Sequence, residues 1–177
     1  MKKNFLLTSF LFSCLLLTAQ QRPCSDPVYR QFDFWLGEWE AFGTQGKKAG
    51  DSKISAILDS CIILEEWTSS AVSNGLRYEG KSFNTYNAVT GQWQQTWVDN
   101  VAGSTEYLMG KFETGKITFE TNPFKFSKDT TAIRKLTFYN LGKDKVRQLG
   151  EITKNNGQGW ITEYDLEYRR KKQSSSP

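Results

Sequence analysis

The chain predicts an all-β fold, an antiparallel up-and-down β-barrel of about 8–10 strands after a short N-terminal helical turn. Three observations lead there. Segments rich in Thr, Tyr, Trp, Ile and Val alternate apolar with polar side chains, the period of a half-buried strand. Turn signals such as "VSNG", "NAVTG", "ETGK", "NLGKDK" and "KNNGQG" separate them at close intervals. No segment after Gly37 carries the pattern of a three-turn helix. Short connections make sequential strands pair antiparallel, and closing such a meander removes its exposed edges.

The first element is not part of the fold. Lys2 and Lys3 precede the apolar run "FLLTSFLFSCLLLTA", and "QQRPCSD" then turns polar. That is the layout of a secretory signal peptide, too short for a comfortable membrane span. Cleavage is expected near Ala19, leaving Gln20 first. Cys14 fits a lipid-attachment site badly, with Phe12-Ser13 before it and an apolar run after it. The expected organisation is residues 1–19 as signal peptide, 20–170 as a single barrel domain, and 171–177 as a disordered basic and polar tail. The protein is therefore expected in the periplasm or outside the cell, with no transmembrane segment after signal removal.

One helical or 3₁₀ segment, "PVYRQFDFWLG", comes next. Strands are expected near residues 38–43, 51–58, 61–69, 76–86, 92–99, 104–112, 116–122, 132–140, 145–154 and 159–169. The stretch "NPFKFSKD" reads as a turn.

Two cysteines, Cys24 and Cys61, remain in the mature chain. In an exported protein an even pair suggests a disulfide, the alternative being two unpaired thiols. The chain holds 23 Lys and Arg against 19 Asp and Glu. Losing Lys2 and Lys3 leaves a net charge of +2, concentrated in "RRKK" (169–172). A terminal basic cluster without a basic stripe elsewhere argues against nucleic-acid binding.

Strand phase nominates an interior. Arg77, Glu79 and Lys81 share one face, so Tyr78, Gly80, Ser82, Asn84 and Tyr86 point inward. Trp93, Gln95, Trp97 and Asp99 share a face that two tryptophans mark as inward. In "CIILEEWT", Cys61, Ile63, Glu65 and Trp67 lie opposite Ile62, Leu64, Glu66 and Thr68, and each face carries one glutamate. Aromatics mixed with amides, hydroxyls and a carboxylate suit a small-molecule pocket better than a plain core. The candidate ligand contacts are Glu65, Trp67, Tyr78, Ser82, Gln95 and Trp97.

The chain has no histidine. That excludes Ser-His-Asp and Cys-His catalysis, histidine-ligated haem and most zinc sites. The phosphate-binding and nucleophile-elbow motifs are missing too. No cofactor or metal is expected, and no catalytic residue is assigned. Adjacent Glu65 and Glu66 face opposite ways on a strand and cannot form a pair, though Asp99 or Glu106 could partner one of them.

Gly37-Glu38-Trp39 follows a helical turn and opens the first strand. This resembles the lipocalin signature, in which the tryptophan crosses the closed end of the barrel and an arginine from the last strand packs over it. Arg169 or Arg170 would be that arginine. A closer resemblance is to an uncharacterised secreted bacterial family with a lipocalin-like (calycin) barrel. It carries a block like "FDFWLGEW", then a Cys with Glu and Trp, a "G.S" strand and a "G.W.Q.WVD" strand. Here these are Phe32 to Trp39, Cys61 with Glu65 and Trp67, Gly80 with Ser82, and Gly91, Trp93, Gln95 and Trp97 to Asp99. The resemblance implies a barrel but no reaction, and places Trp35, Gly37, Trp39 and Arg169 at barrel closure. Asp33 would cap the helical turn, and Glu38 could pair with a terminal arginine.

The expected function is binding of a small amphipathic or aromatic molecule inside the barrel. The alternatives are an enzyme using a buried carboxylate, as isomerase or hydrolase, and an interaction module with a filled barrel.

Overall fold

The computed structural model describes residues 22–172. The expected signal peptide, Cys14 and most of the expected tail lie outside them.

Two 3₁₀ turns, Pro27–Arg30 and Asp33–Trp35, lead into eleven strands. These are β1 (Gly37–Gly43), β2 (Lys48–Ile57), β3 (Ile62–Ser73), β4 (Leu76–Asn87), β5 (Gln92–Asp99) and β6 (Ser104–Glu113). β7 (Lys116–Glu120), β8 (Phe124–Ser127), β9 (Thr130–Asn140), β10 (Lys145–Thr153) and β11 (Ile161–Arg170) follow. Each strand pairs antiparallel with its sequence neighbour, except that β7 skips β8 and pairs β9. β11 returns to β1, with Trp39 opposite Arg170, and closes a ten-stranded barrel.

β8 lies outside that ring and corrects the reading of "NPFKFSKD" as a turn. Its phenylalanines alternate with polar residues, but only four residues form the strand, and its partner is the start of β9 alone. Lys154 stands over Phe126 and Arg134 over Phe124, so cations rather than a core cover these rings.

The period-2 pattern explains the ring. In β4, Gly80, Ser82 and Asn84 are buried while Arg77, Glu79, Lys81 and Phe83 are exposed. In β3, Glu65 faces inward and Glu66 outward, where it pairs with Lys81. Among the described residues no helix is long and apolar enough to cross a membrane.

The aromatic core fills the end where β1 starts and β11 finishes. Phe32, Trp35 and Trp39 are fully buried there with Phe119 and Phe138. Trp35 stacks on Phe32 at 5.2 Å between ring centres, and Trp39 Nε1 donates to the Trp35 carbonyl at 2.8 Å. Such rings remove about 150–250 Å² each from water, which fixes the end as a plug. Gly37 has φ +127°, in the region that favours glycine, and its missing Cβ leaves the space taken by the Arg170 guanidinium.

The same end holds the Cys24–Cys61 disulfide. Cys61 sits in the β2–β3 turn rather than on the Glu65 face of β3. Leu58, Asp59 and Ser60 before it all adopt left-handed backbone, with φ of 50°, 54° and 66°. The Arg30 guanidinium donates to the Ser60 carbonyl, so the disulfide and this contact together pin a costly turn.

Capping differs from expectation. The Asp26 carboxylate accepts from the Val28 amide and caps the first turn, whereas Asp33 caps nothing and instead pairs with Arg30 at 3.4 Å. Asp33 Oδ1 is buried without a hydrogen bond, and that burial raises its carboxyl above the ordinary range despite Arg30. Arg170 pairs with Asp144, and Glu38 contributes only its carbonyl, which accepts from the Lys171 amide.

Candidate functional site

The interior away from the aromatic plug holds a cavity of about 540 Å³, open to solvent on one side. The β5–β6 turn contributes Asp99, Gly103 and Ser104 to it, at the end of the barrel opposite the plug. Four of the six residues nominated from sequence line it: Glu65, Tyr78, Gln95 and Trp97. The other two stand behind its surface. Ser82 is fully buried and donates to Glu65 Oε2 at 3.1 Å. Trp67 lies over Gly50, with its ring 6.3 Å from that of Tyr168.

The floor is a directed hydrogen-bond chain. Gln95 Nε2 donates to Asn84 Oδ1 at 2.7 Å, and Asn84 Nδ2 donates to Ser82 Oγ at 3.0 Å. Ser82 must then give its proton to Glu65 Oε2. Ser52 donates to Glu65 Oε1 at 2.9 Å. The Tyr168 hydroxyl lies 2.7 Å from Gln148 Oε1 and 3.3 Å from Glu65 Oε1. Both carboxyl oxygens thus accept from hydroxyls, Oε2 from Ser82 and Oε1 from Ser52.

Glu65 is 2% exposed. Desolvation pushes its carboxyl up to about 7, more than the hydroxyls of Ser52, Ser82 and Tyr168 hold it down. Its hydrogen-bond partners are all neutral. Glu106, the other carboxylate weighed as a partner, is exposed on β6 and does not line the cavity.

The walls are aromatic. Tyr78 donates to Asp99 Oδ2 at 3.0 Å, and Trp97 Nε1 reaches Tyr78 and Asp99 at 3.1 Å each. Asp99 also accepts from the amides of Gly103 and Val101. Burial raises its pKa, but these amides, followed by Tyr78 and Trp97, outweigh it and hold the carboxyl below its ordinary value. The Trp97 ring lies against Gly80, and the Tyr164 ring against Gly150, each where a Cβ would stand. Burial pushes the phenols of Tyr78 and Tyr107 up to about 12, so both stay neutral at physiological pH.

No protein-family model and no curated protein matches the chain. The site is therefore read from its geometry.

Sequence reasoning missed Tyr107, Arg134, Gln148, Glu163, Tyr164 and Tyr168. A signal existed for part of the set. Tyr164, Leu166 and Tyr168 recur at every second residue of β11, as inward residues must. Arg134 and Glu163 carried no such mark. They come from β9 and β11, with β10 between, and meet as a bidentate pair at 2.8 and 3.1 Å.

At the plug, Trp35, Gly37 and Trp39 stand together, but Arg169 does not join them. Arg170 is the residue over Trp39, at 4.1 Å from the ring centre. Arg169 points to the other face of β11 and covers Phe42 at 4.2 Å. Adjacent strand residues face opposite ways, so only one of the two arginines could reach Trp39.

Proposed function

We propose that the protein is an exported carrier that holds a small amphipathic or aromatic molecule inside its barrel, in the manner of the calycin-like family its opening block resembles. The observation that carries this reading is the cavity of about 540 Å³, within the range of about 300–1,000 Å³ occupied by ligand sites. Its walls supply apolar area from Trp97, Leu166 and the tyrosines, and its floor supplies orienting groups from Glu65, Gln95 and Gln148. A filled interaction module would leave no such space. Residues 1–19 are the leader that exports the chain and residues 20–170 the domain that carries the ligand. The disulfide supports an oxidising compartment. Native mass spectrometry of protein purified from its own host tests the reading. A retained small molecule, lost on unfolding, is expected. An empty cavity that also takes up no aromatic probe overturns it.

A second reading has its own support. Glu65, raised to about 7 in an open cleft, is poised to give or take a proton on a bound substrate, as an isomerase requires. Turnover that disappears in Glu65→Gln while ligand binding persists would favour the enzyme over the carrier.

A further inference from the structure

The charged lining of the cavity does not balance. It comprises Glu65, Asp99 and Glu163 against Arg134. Arg134 is committed to Glu163 through both of its bonds, with 2.8 and 3.1 Å separations. Asp99 is held only by neutral donors: the Tyr78 hydroxyl, the Trp97 indole and two backbone amides. Glu65 is held only by hydroxyls. Among the described residues, therefore, two carboxylates share one cavity with no cation assigned to either.

The surfaces between them suit a cation as well. Tyr78, Trp97, Tyr107, Tyr164 and Tyr168 line the space. Aromatic faces attract ammonium groups, most strongly where water is excluded. The phenols stay protonated, so they add no competing negative charge. Glu65 faces Ser52 on β2, Ser82 on β4 and Tyr168 on β11, none of which brings a positive charge to it. A carboxylate desolvated without a partner is costly, and a ligand ammonium removes that cost. An anionic ligand would meet repulsion from Asp99 and, above about pH 7, from Glu65, and a neutral one would bring no opposite charge to either.

Resting on the carrier reading above, we propose that the cavity selects organic ammonium ions: a protonated amine on an aromatic or apolar body, its cationic head directed to Glu65 and its body against Trp97 and the tyrosines. Bringing the cation to Glu65 favours the ionised carboxyl, so binding near neutral pH releases a proton to solvent.

Three soluble probes of one shape test this by calorimetry at pH 8: 2-(naphthalen-1-yl)ethylamine, 2-(naphthalen-1-yl)ethanol and naphthalene-1-acetate. The amine is expected to bind at least about tenfold tighter than the alcohol, and the acetate weakest. In Glu65→Gln the advantage of the amine over the alcohol should disappear. Amine and alcohol of equal affinity in the wild-type protein, or the acetate binding tightest, overturns the ammonium assignment and leaves the carrier reading standing. No binding of any of the three to folded protein, with an empty native mass spectrum, overturns both. The wild-type charge series decides the matter even if the variant fails to fold.

Discussion

Arg170 lies over the ring of Trp39, 4.1 Å from its centre, and donates to two backbone carbonyls, Leu36 at 2.9 Å and Lys143 at 3.0 Å. One side chain thus ties the last strand, the entry to the first, and the β9–β10 turn. Arg170→Ala is expected to cost about 2–4 kcal/mol, from the lost cation–π contact and two charge-assisted hydrogen bonds. Lysine cannot span both carbonyls and the ring, so Arg170→Lys should recover little. Arg169→Ala, whose partner Glu167 and ring Phe42 lie on the other face, should change stability by under about 1 kcal/mol. Urea denaturation of the three variants checks this, and equal losses at both arginines would contradict it.

Glu65 sets a pH dependence whose sign is opposite to that of a salt-bridged carboxylate. Its folded pKa, about 7, stands above the ordinary glutamate value of 4.5, so the native state holds a proton that the unfolded chain releases. The stabilisation is complete below about pH 4.5 and is lost as pH rises through 7, a total of about 3 kcal/mol. Asp51, Asp99 and Glu167, whose pKa values are lowered, act the other way as pH falls through their range. The comparison is therefore wild type against Glu65→Gln. The variant should gain about 3 kcal/mol relative to wild type between pH 4.5 and 8. Parallel stability curves across that range would show that Glu65 does not titrate there.

Gly80 lets the Trp97 ring approach the barrel wall closely. A methyl group there would meet the indole ring directly. Gly80→Ala should push the ring into the cavity, cost about 1–3 kcal/mol by overpacking, and weaken aromatic probes more than it weakens the fold. Near-ultraviolet circular dichroism and naphthyl-probe titration measure the two effects. Unchanged probe affinity would detach Trp97 from the ligand site.

Reduction of Cys24–Cys61 opens a loop spanning 37 residues of sequence separation. The chain-entropy estimate for such a loop is about 4 kcal/mol. Thermal unfolding with and without reductant should show a large fall in Tm, matched by Cys24→Ser with Cys61→Ser. The left-handed Leu58–Ser60 turn is expected to exchange its amides faster once the link is broken. A Tm unchanged by reduction would show the fold is held without the bridge.

Strand phase was legible wherever both faces differ in polarity. Tyr78 could be placed inside because Arg77, Glu79 and Lys81 mark the outer face of its own strand, and Gln95 because Trp93 and Trp97 mark the inner face of theirs. The choice between Glu65 and Glu66 was not legible, since each face of β3 offered one glutamate beside apolar residues. Tertiary pairing decided it: Ser82 is the β4 partner of Glu65, Ser52 reaches it diagonally from two residues along β2 beyond its partner Ile54, and Lys81 stands outside opposite Glu66. The short β8 hid in a turn-like composition because its pairing is with one edge only.

The chain's own order of residues determined the all-β class, the ring of antiparallel neighbours, the aromatic block as a plug, and the cysteines available to pair. The class, the ring and the cysteines follow from local period, spacing and composition, which act over a few residues, whereas the plug followed from the resemblance of the Gly37-Glu38-Trp39 block. Only the closed barrel decided which arginine covers Trp39, that Arg134 meets Glu163, and that Glu65 stands buried without a cation. Each of these depends on contacts between strands far apart in sequence, and on how far closure removes a group from water.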